Sequence, residues 1–339
     1  MVTKLPKSLY DSDLSKTKGI LNMKVSCQQP QAGQLVSRSV IVMLTAVIIL
    51  WGINVIMIKY LVNYFPPLAL AGIRISIAAA FLMPVSLWRY GPAIPPLSSW
   101  LPICGVALSS IFLHQIALSW GLTATSATHS VLILALNPLL TTLLASLLVS
   151  EPLSWNKISG VLTGLSGILL IVFHRADADT SSLLGDGVVF LATVTYVLGS
   201  LCVKKGTQSL PPLMITAYSH VLAAAGLMVS GAFLNAEWMY AGALNLPPLA
   251  CLFFSAMICT GLATIWWNTA IHHVGASTTA LFINGQPVIG VFGSALFLGE
   301  QLAWQHFAAL LLVILGVSLG TGIVARFIRP SVYKRAARS

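Results

Sequence analysis

The sequence has little charge, since only 8% of its 339 residues are Asp, Glu, Lys or Arg. Soluble globular proteins carry roughly 25% charged residues, whereas 57% of this chain is hydrophobic and its mean hydropathy is +0.89. A protein with so apolar a surface would not be soluble in water. The composition therefore excludes an ordinary soluble domain.

Other absences narrow the class of protein further. The five cysteines, Cys27, Cys104, Cys202, Cys251 and Cys259, show no spacing typical of a disulfide framework or a metal site. We therefore interpret them as small apolar residues and expect no metal and no cofactor. A Gly-rich phosphate-binding loop of the Walker type is also missing, which argues against a process driven by ATP.

Long apolar runs dominate what is present. Runs of about 20 apolar residues are typical of helices that cross a bilayer. We count ten, at roughly 40–62, 67–88, 100–120, 127–149, 156–174, 185–203, 212–234, 249–270, 276–298 and 303–325. The sequence predicts an all-α membrane protein with ten transmembrane helices and the lipid bilayer as its main partner.

The net charge of +10 comes from cations that flank these runs, and such cations set membrane orientation. If both termini are cytoplasmic, fifteen of the eighteen Lys and Arg residues face the cytoplasm. The other three are Lys59, Arg74 and Arg175. We therefore expect cytoplasmic termini, anionic lipid near the basic tails at 1–39 and 326–339, and no nucleic-acid partner. The N-terminal tail is expected to be disordered, and Met23 is an alternative start site.

A twenty-residue pattern occurs twice, as LNPLLTTLLASLLVSEPLSW at 136–155 and as GQPVIGVFGSALFLGEQLAW at 285–304. A shift of 149 places Pro138 on Pro287 and Glu151 on Glu300. A shift of 145 places nine residues between Lys59 and Met83 on identical residues between Lys204 and Met228. The chain is thus predicted to be an internal duplication, with repeats at 40–174 and 185–325.

Each repeat holds five predicted spans, and five is an odd number. The second repeat must therefore enter the membrane from the opposite face, which makes the two repeats inverted. Inverted repeats are typical of secondary transporters, because exchange of the two conformations reverses the side on which the site is open. We accordingly predict two inverted five-helix repeats.

The stretch WGINVIMIKYLVNYFPPLALAGIRISIAAAFL at 51–82, together with the two Pro–Glu–Trp patterns, resembles the EamA-type drug/metabolite transporters. The resemblance covers about 40–325. It implies two inverted five-helix repeats around a cavity, and export of amino acids and related metabolites across the bacterial inner membrane. Tyr196, the counterpart of Trp51, departs from the pattern because Trp is frequent there.

Pro138 and Pro287 are candidate hinges. Each lies about 11 residues into its span, close to the bilayer centre, and frees the carbonyl four residues earlier. Packing kinks repaired by neighbouring helices are the alternative. Candidate substrate-binding residues beside these prolines are Asn137, Asn284 and Gln286.

Arg74 is predicted to lie ~12 Å below the outer boundary of the second span, where a guanidinium costs ~2.5–3.5 kcal/mol. Its partner is either a substrate carboxylate or backbone carbonyls freed at the kinks. We see no carboxylate inside a span that would pair with it. Asn54 and His114 lie at similar depths and are further candidate binding residues.

The second repeat offers a related set of polar and aromatic residues. Its candidate binding residues are Tyr196, His220, Trp267 and Asn268. Trp266 and Trp267 are alternatively interface anchors near a helix end. Lys59 is expected to extend to the outer surface.

The two repeated glutamates, Glu151 and Glu300, are interpreted as residues at water-facing turns near the N-terminus of the next helix, where negative charge is favoured. Binding of a coupling ion is the alternative. Asp186 is assigned with Asp177 and Asp179 to the translocated loop that holds Arg175. Among the histidines, His114, His129 and His220 could titrate near neutral pH.

The sequence therefore predicts a metabolite exporter that works by alternating access, and not an enzyme. A carrier of nucleotide-sugars or other phosphorylated metabolites is the alternative within transporters. More distant alternatives are an intramembrane enzyme that uses His272 and His273 as metal ligands, and a scaffold that transports nothing. The substrate, the coupling ion and the choice between monomer and homodimer stay open.

Overall fold

The computed structural model describes residues 38–92, 94–149, 155–173, 181–234, 237–274, 279 and 282–320. Residues 1–37 of the predicted N-terminal tail, the whole predicted C-terminal tail, Glu151 and Arg175 lie outside the described residues, and so does the side chain of Asn284.

Within those ranges the chain is built from helices joined by short turns. We number the helices α1 to α11. Their bounds are α1 Arg38–Leu61, α2 Pro67–Tyr90, α3 Leu97–Ala124, α4 Ala127–Leu134, α5 Asn137–Val149, α6 Trp155–Phe173, α7 Leu183–Gly206, α8 Pro212–Phe233, α9 Leu246–His273, α10 Gln286–Leu298 and α11 Trp304–Gly320.

Six of these helices, α1, α2, α3, α7, α8 and α9, are long and apolar enough to cross a membrane. Shorter apolar helices occupy the four other predicted spans of the described chain. Most predicted bounds agree with the structure to within a few residues, as at the second span, predicted at 67–88 and observed at Pro67–Tyr90.

The spans that carry the repeated prolines are not continuous helices. α4 ends at Leu134, two turn residues follow, and α5 begins at Asn137 with Pro138 in its first turn. α10 likewise begins one residue before Pro287, after a short 3₁₀ turn at Ile283–Gly285. Proline suits the first turn of a helix because its missing N–H needs no partner there. Both prolines thus stand at breaks in a helix, and their role as hinges stays a prediction.

A second pair of irregularities lies at matching positions in α3 and α9. Each helix widens into a π-helical segment, at Ala107–Leu113 in α3 and at Phe254–Leu262 in α9. The repeat shift of 149 places Leu113 on Leu262, so both segments end at equivalent residues. π-helical turns are frequent at functional sites. The inner faces of α3 and α9 are therefore candidate parts of a functional site.

Helices at equivalent positions pack against each other. α2 packs on α8, and α6 packs on α11. The second pair meets through glycine, because a Cβ at Gly316 would come within 2.7 Å of the carbonyl oxygen of Gly160. Small residues allow such close approach between helices in membranes. Equivalent helices of the two repeats are thus in direct contact within the bundle.

Two ends of the bundle can be defined by their hydrogen bonds. At the Glu300 end, Lys59 Nζ donates to the carbonyl oxygens of Leu122 and Thr125 at 2.8 and 2.7 Å. At the Ser209 end, the hydroxyls of Ser99 and Ser209 lie 3.2 Å apart. Lys59 therefore binds the C-terminal carbonyls of α3, where cations are favoured. Its extension to the outer surface stays a prediction.

Candidate functional site

A cavity lies inside the bundle. Both repeats line it, with side chains from α1, α3, α4 and α5 on one side and from α7, α8, α9 and α10 on the other. Toward the Ser209 end the lining reaches Val203 and Thr216, which are close to the ends of α7 and α8. Toward the Glu300 end it stops at Val55 and Leu118, each about 9 Å before its helix ends.

The structure brings most of the predicted binding residues together around this cavity. Those that line it are Asn54, His114, Asn137, Tyr196, His220, Trp267, Asn268 and Gln286. Arg74 lies behind the wall, and Pro138 and Pro287 stand next to lining amides without lining the cavity. Shared location makes these side chains a candidate site, and their role in binding stays a prediction.

Equivalent positions of the two repeats both contribute to the lining of the cavity. Asn137 and Gln286 are related by the shift of 149, precede the repeated prolines, and are both buried. Trp51 and Tyr196, related by the shift of 145, meet edge to face with ring centroids 6.2 Å apart. Residues from equivalent positions of the two repeats therefore meet at the cavity.

Aromatic rings form one wall. Trp51 and Trp267 have centroids 4.9 Å apart, and Tyr196 lies 5.1 Å from His114. The Trp51 indole N–H donates to the Cys259 carbonyl at 3.0 Å, which fixes the ring plane. The interpretation of Trp267 as an interface anchor is wrong, because this side chain is only 5% exposed and lines the cavity. Its apolar ring is better stabilised in the aromatic cluster than at the end of α9.

Arg74 is completely buried and binds neutral side chains. Its Nε donates to Ser255 Oγ at 3.0 Å, one terminal nitrogen donates to Gln115 Oε1 at 3.1 Å, and the other donates to Thr260 Oγ1 at 3.0 Å. Backbone carbonyls, expected as one alternative, are not the observed acceptors. Instead, hydroxyls of the π-helical segment of α9 and an amide of α3 hold the guanidinium.

The partners of Arg74 connect it to the cavity. Gln115 and Thr260 both line the cavity, so the guanidinium lies one side chain away from it. Ser255 in turn donates to Asn54 Oδ1 at 2.6 Å, and Asn54 also lines the cavity. Arg74 thus orients three polar groups of the wall and places a positive charge behind them. Hydrogen bonds to a charged group are stronger than neutral ones.

Two buried histidines line the cavity in defined tautomers. His114 Nδ1 donates to the Ala192 carbonyl at 2.8 Å, and His220 Nδ1 donates to the Thr216 carbonyl at 2.7 Å. A carbonyl oxygen only accepts, so Nδ1 carries a proton in each ring. Asn268 donates to Thr216 Oγ1 at 2.7 Å, which fixes its amide beside His220. The cavity wall therefore presents polar groups whose orientations are fixed by hydrogen bonds.

Several lining residues escaped the sequence interpretation. They are Trp51, Ser110, Gln115, Ser200, Thr216, Thr260 and Thr264. A periodic signal marks some of them, because Thr260, Thr264 and Asn268 follow one another at intervals of four in an apolar helix. Such spacing places polar side chains on one helical face. Gln115 does not belong to this series. In the sequence it is marked only as the neighbour of His114, a predicted binding residue.

Asp186 does not belong to a solvated loop as predicted. It lies in the first turn of α7 and is 3% exposed. Its carboxylate oxygens are both 3.2 Å from His129 Nδ1 and accept a short hydrogen bond from the Thr125 hydroxyl. Asp186 is thus a buried carboxylate at the start of the sixth predicted span, bound to His129 and Thr125, whereas Arg74 binds neutral side chains. Burial is tolerated because hydrogen bonds satisfy the charged group.

The predicted position of Glu300 is also corrected. Its carboxylate lies at a helix N-terminus, but that helix is α4 and not the next helix in the chain. It accepts from the backbone N–H groups of Ala127 and Thr128 at 2.7 and 3.0 Å and from the Thr128 hydroxyl at 2.6 Å. The first turn of a helix favours an anion because its N–H groups lack intrahelical partners.

Charged side chains are missing from the cavity wall formed by the described residues. The lining consists of amides, hydroxyls, imidazoles, indoles, a phenol and aliphatic side chains. Such a wall can donate and accept hydrogen bonds and can pack against a flat apolar group, while Arg74 supplies a positive potential from behind. This arrangement suits reversible binding of a small solute.

The fold and the cavity define a membrane protein that is built from two repeats around a central chamber. The model of the EamA-like transporter family matches residues 38–173 and 183–321, and the chain belongs to that family. It is therefore a multi-pass membrane protein of a transporter family, as the resemblance implied.

Relatives of known sequence cover most of the chain. The uncharacterized transporter YyaM of Bacillus subtilis strain 168 is 29% identical over 84% of this chain and 94% of its own length. A protein of Escherichia coli K12 named a probable amino-acid metabolite efflux pump is 23% identical over 80% of this chain and 91% of its own. A crystal structure with 18% sequence identity matches 87% of this chain and all of its own, with a TM-score of 0.63. The structural likeness supports the fold alone.

Proposed function

We propose that this protein is a secondary transporter that exports amino acids or closely related small metabolites. The observation that carries the proposal is the cavity, which both repeats line with neutral polar groups and aromatic rings. A relative with the printed name of an amino-acid metabolite efflux pump supports the same substrate class.

The chemistry of the wall suits a zwitterion with an apolar side chain. The amides of Asn137 and Gln286 and the hydroxyls of α9 can bind both an ammonium and a carboxylate. The rings of Trp51 and Trp267 can pack against an apolar or aromatic side chain. Direct binding of a substrate carboxylate by Arg74 stays a prediction, and it requires that Gln115 or Thr260 first move aside.

Phosphorylated metabolites fit the cavity less well. A phosphate carries up to two negative charges and is usually held by several Lys or Arg side chains. Among the described lining residues there is none of either type, and Arg74 is one side chain removed. A carrier of nucleotide-sugars is therefore the alternative that a transport assay should exclude.

The proposed mechanism is alternating access by ten transmembrane segments in two inverted repeats. The flanking cations support cytoplasmic termini and a location in the bacterial inner membrane. The packing of α2 on α8 and of α6 on α11 supports a pseudo-symmetric bundle. Two repeats that exchange conformations would open the cavity alternately at the Ser209 end and the Glu300 end.

Efflux from proteoliposomes tests the function directly. The purified protein is reconstituted and loaded with a panel of labelled solutes: aromatic, aliphatic, acidic and basic amino acids, a sugar phosphate and a nucleotide-sugar. We expect saturable efflux of neutral amino acids with apolar side chains, abolished by Trp267→Ala together with Asn268→Ala. Efflux confined to the phosphorylated solutes would overturn the substrate assignment, and no flux of any solute would overturn transport.

The inverted arrangement has its own test. Single cysteines are placed in the turns after Glu151 and after Glu300 of a variant whose five native cysteines are replaced by serine, and sealed vesicles are treated with an impermeant maleimide. We expect the two positions to react from opposite sides of the membrane. Reaction from the same side would contradict inversion while leaving the efflux result intact.

A further inference from the structure

The cavity is closed toward the Glu300 end by an apolar layer and, beyond it, by a polar network. Ile58, Leu122, Val131 and Val189 are each completely buried between the cavity lining and that end. The layer is tightly packed, since a Cβ at Gly290 would lie 2.4 Å from a Val131 methyl group. A solute that leaves through this end must displace these side chains.

The polar network beyond the layer is centred on residues 124–129, which join α3 to α4. Every bond described here runs from this first-repeat segment to the second repeat. Glu300 binds Ala127 and Thr128, and Asp186 binds Thr125 and His129.

Three serine contacts extend the network in the same sense. Ser181 accepts from the Ser126 N–H at 3.0 Å, and Ser182 donates to the Ala124 carbonyl at 2.8 Å. The Thr128 hydroxyl is also within hydrogen-bond distance of Ser294 in α10. Residues 124–129 are therefore held by the start of α7 with the two residues that precede it, by α10 and by Glu300.

We propose that Glu300 and Asp186 are the gate residues of the Glu300 end, and that their carboxylates clasp the start of α4 to keep this end closed. The inference rests on the proposed function to the extent that it assumes a cavity that opens alternately. Release of the clasp frees the N-terminal half of the broken α4–α5 segment. The break before Pro138 lets α4 move while α5 stays in place.

The hydrogen-bond geometry assigns most of the clasp to Glu300. Both of its oxygens accept, one from a backbone N–H and the other from a backbone N–H and a hydroxyl, so an ionised carboxylate fits all three donors. A glutamine side chain keeps one oxygen but places an NH₂ group against an N–H donor. The change Glu300→Gln therefore breaks part of the clasp with almost no change in volume.

Cys259 provides a native reporter of opening. It lines the cavity and is completely buried in this closed arrangement. An impermeant maleimide can reach it from the Glu300 end only when the clasp and the apolar layer have parted. Modification of this cysteine in the full chain is quantified by peptide mass spectrometry, in right-side-out and inside-out membrane vesicles.

We expect Glu300→Gln to raise the modification rate from the Glu300 side by about tenfold, because a hydrogen bond to a charged group is weakened by roughly that factor. The rate from the Ser209 side should fall, because alternating access opens one end of the cavity at the expense of the other. Thr128→Val removes a donor without touching the carboxylate and should act in the same direction by a smaller factor. The double variant should be no faster than Glu300→Gln alone, because both changes break one interaction.

Glu237→Gln is the matched control. Glu237 is exposed in the connection between α8 and α9, which reaches the same end because Tyr240 N–H donates to the Tyr64 carbonyl. It should leave both rates unchanged. Equal rates for Glu300→Gln and Glu237→Gln would overturn the clasp, and so would an increase from both sides, which indicates a loosened bundle.

The test separates the clasp from the proposed substrate, because labelling needs no solute. A change in Cys259 labelling without amino-acid efflux would retain the clasp and reject the substrate class. Amino-acid efflux with unchanged labelling would do the reverse.

Discussion

Arg74 and Ser219 occupy equivalent positions in α2 and α8, and both are completely buried, yet they do different things. Arg74 crosses to α3 and α9 and holds three side chains, whereas Ser219 donates within its own helix to the Thr216 carbonyl at 3.1 Å. The repeats therefore agree in their helix breaks and π-helical segments but differ where they approach the cavity. The scaffold is therefore similar in the two repeats, whereas the residues near the cavity differ between them and form one distinct site.

The strongest way to break this comparison is to remove the charge from the first repeat. Arg74→Met should lower the free energy of unfolding by about 3 kcal/mol or more, because three charge-assisted hydrogen bonds are lost. Ser219→Ala, at the equivalent position, should cost less than about 1 kcal/mol. Thermal unfolding of the two purified variants in the same detergent measures the difference. Equal melting temperatures would show that the neutral partners do not stabilise Arg74.

A second comparison concerns Trp267 and its counterpart Leu118, which both line the cavity. Trp267→Leu copies the first repeat and removes the ring that packs on Trp51. We expect KM for a ring-bearing amino acid to rise by a factor of about two to ten, the value of one aromatic contact. The KM for an aliphatic amino acid should change less. Leu118→Met is the volume-matched control in the same efflux assay, and an equal rise for both solutes would contradict a ring-specific contact.

The smallest expected effect lies at Gly299, where the first repeat has Ser150. Gly299 ends α10 in a left-handed conformation with φ of 68°, and no heavy atom lies within 4 Å of the place that a Cβ would take. Gly299→Ser should therefore cost only the backbone strain, about 1 kcal/mol. Thermal unfolding checks this value. A loss of stability as large as that of Arg74→Met would show that Gly299 does more than end a helix.

The sequence predicted the scaffold well because apolar length and the doubled pattern are local signals. The breaks at Pro138 and Pro287 follow from the chemistry of the proline ring, and eight of the cavity residues were found as polar or aromatic side chains in apolar helices. Asp186 was misassigned because nearby acidic residues resemble a loop, and its partner His129 lies 57 positions away in the sequence. Glu300 was placed at the wrong helix because Thr128 is 172 positions away. Contacts of this range depend on how the repeats meet, and a periodic pattern carries no information on that.

The glycine contact between α6 and α11 has a mechanical consequence. Where Gly316 approaches Gly160 and Gly164, the two backbones touch and no side chain lies between them that could change rotamer to absorb a sliding motion. The contact between α6 and α11 is therefore rigid. We expect rearrangements between the repeats to take place on the opposite side of the bundle. Even a single methyl group introduced at Gly316 would collide with the backbone of α6 and force the two helices apart.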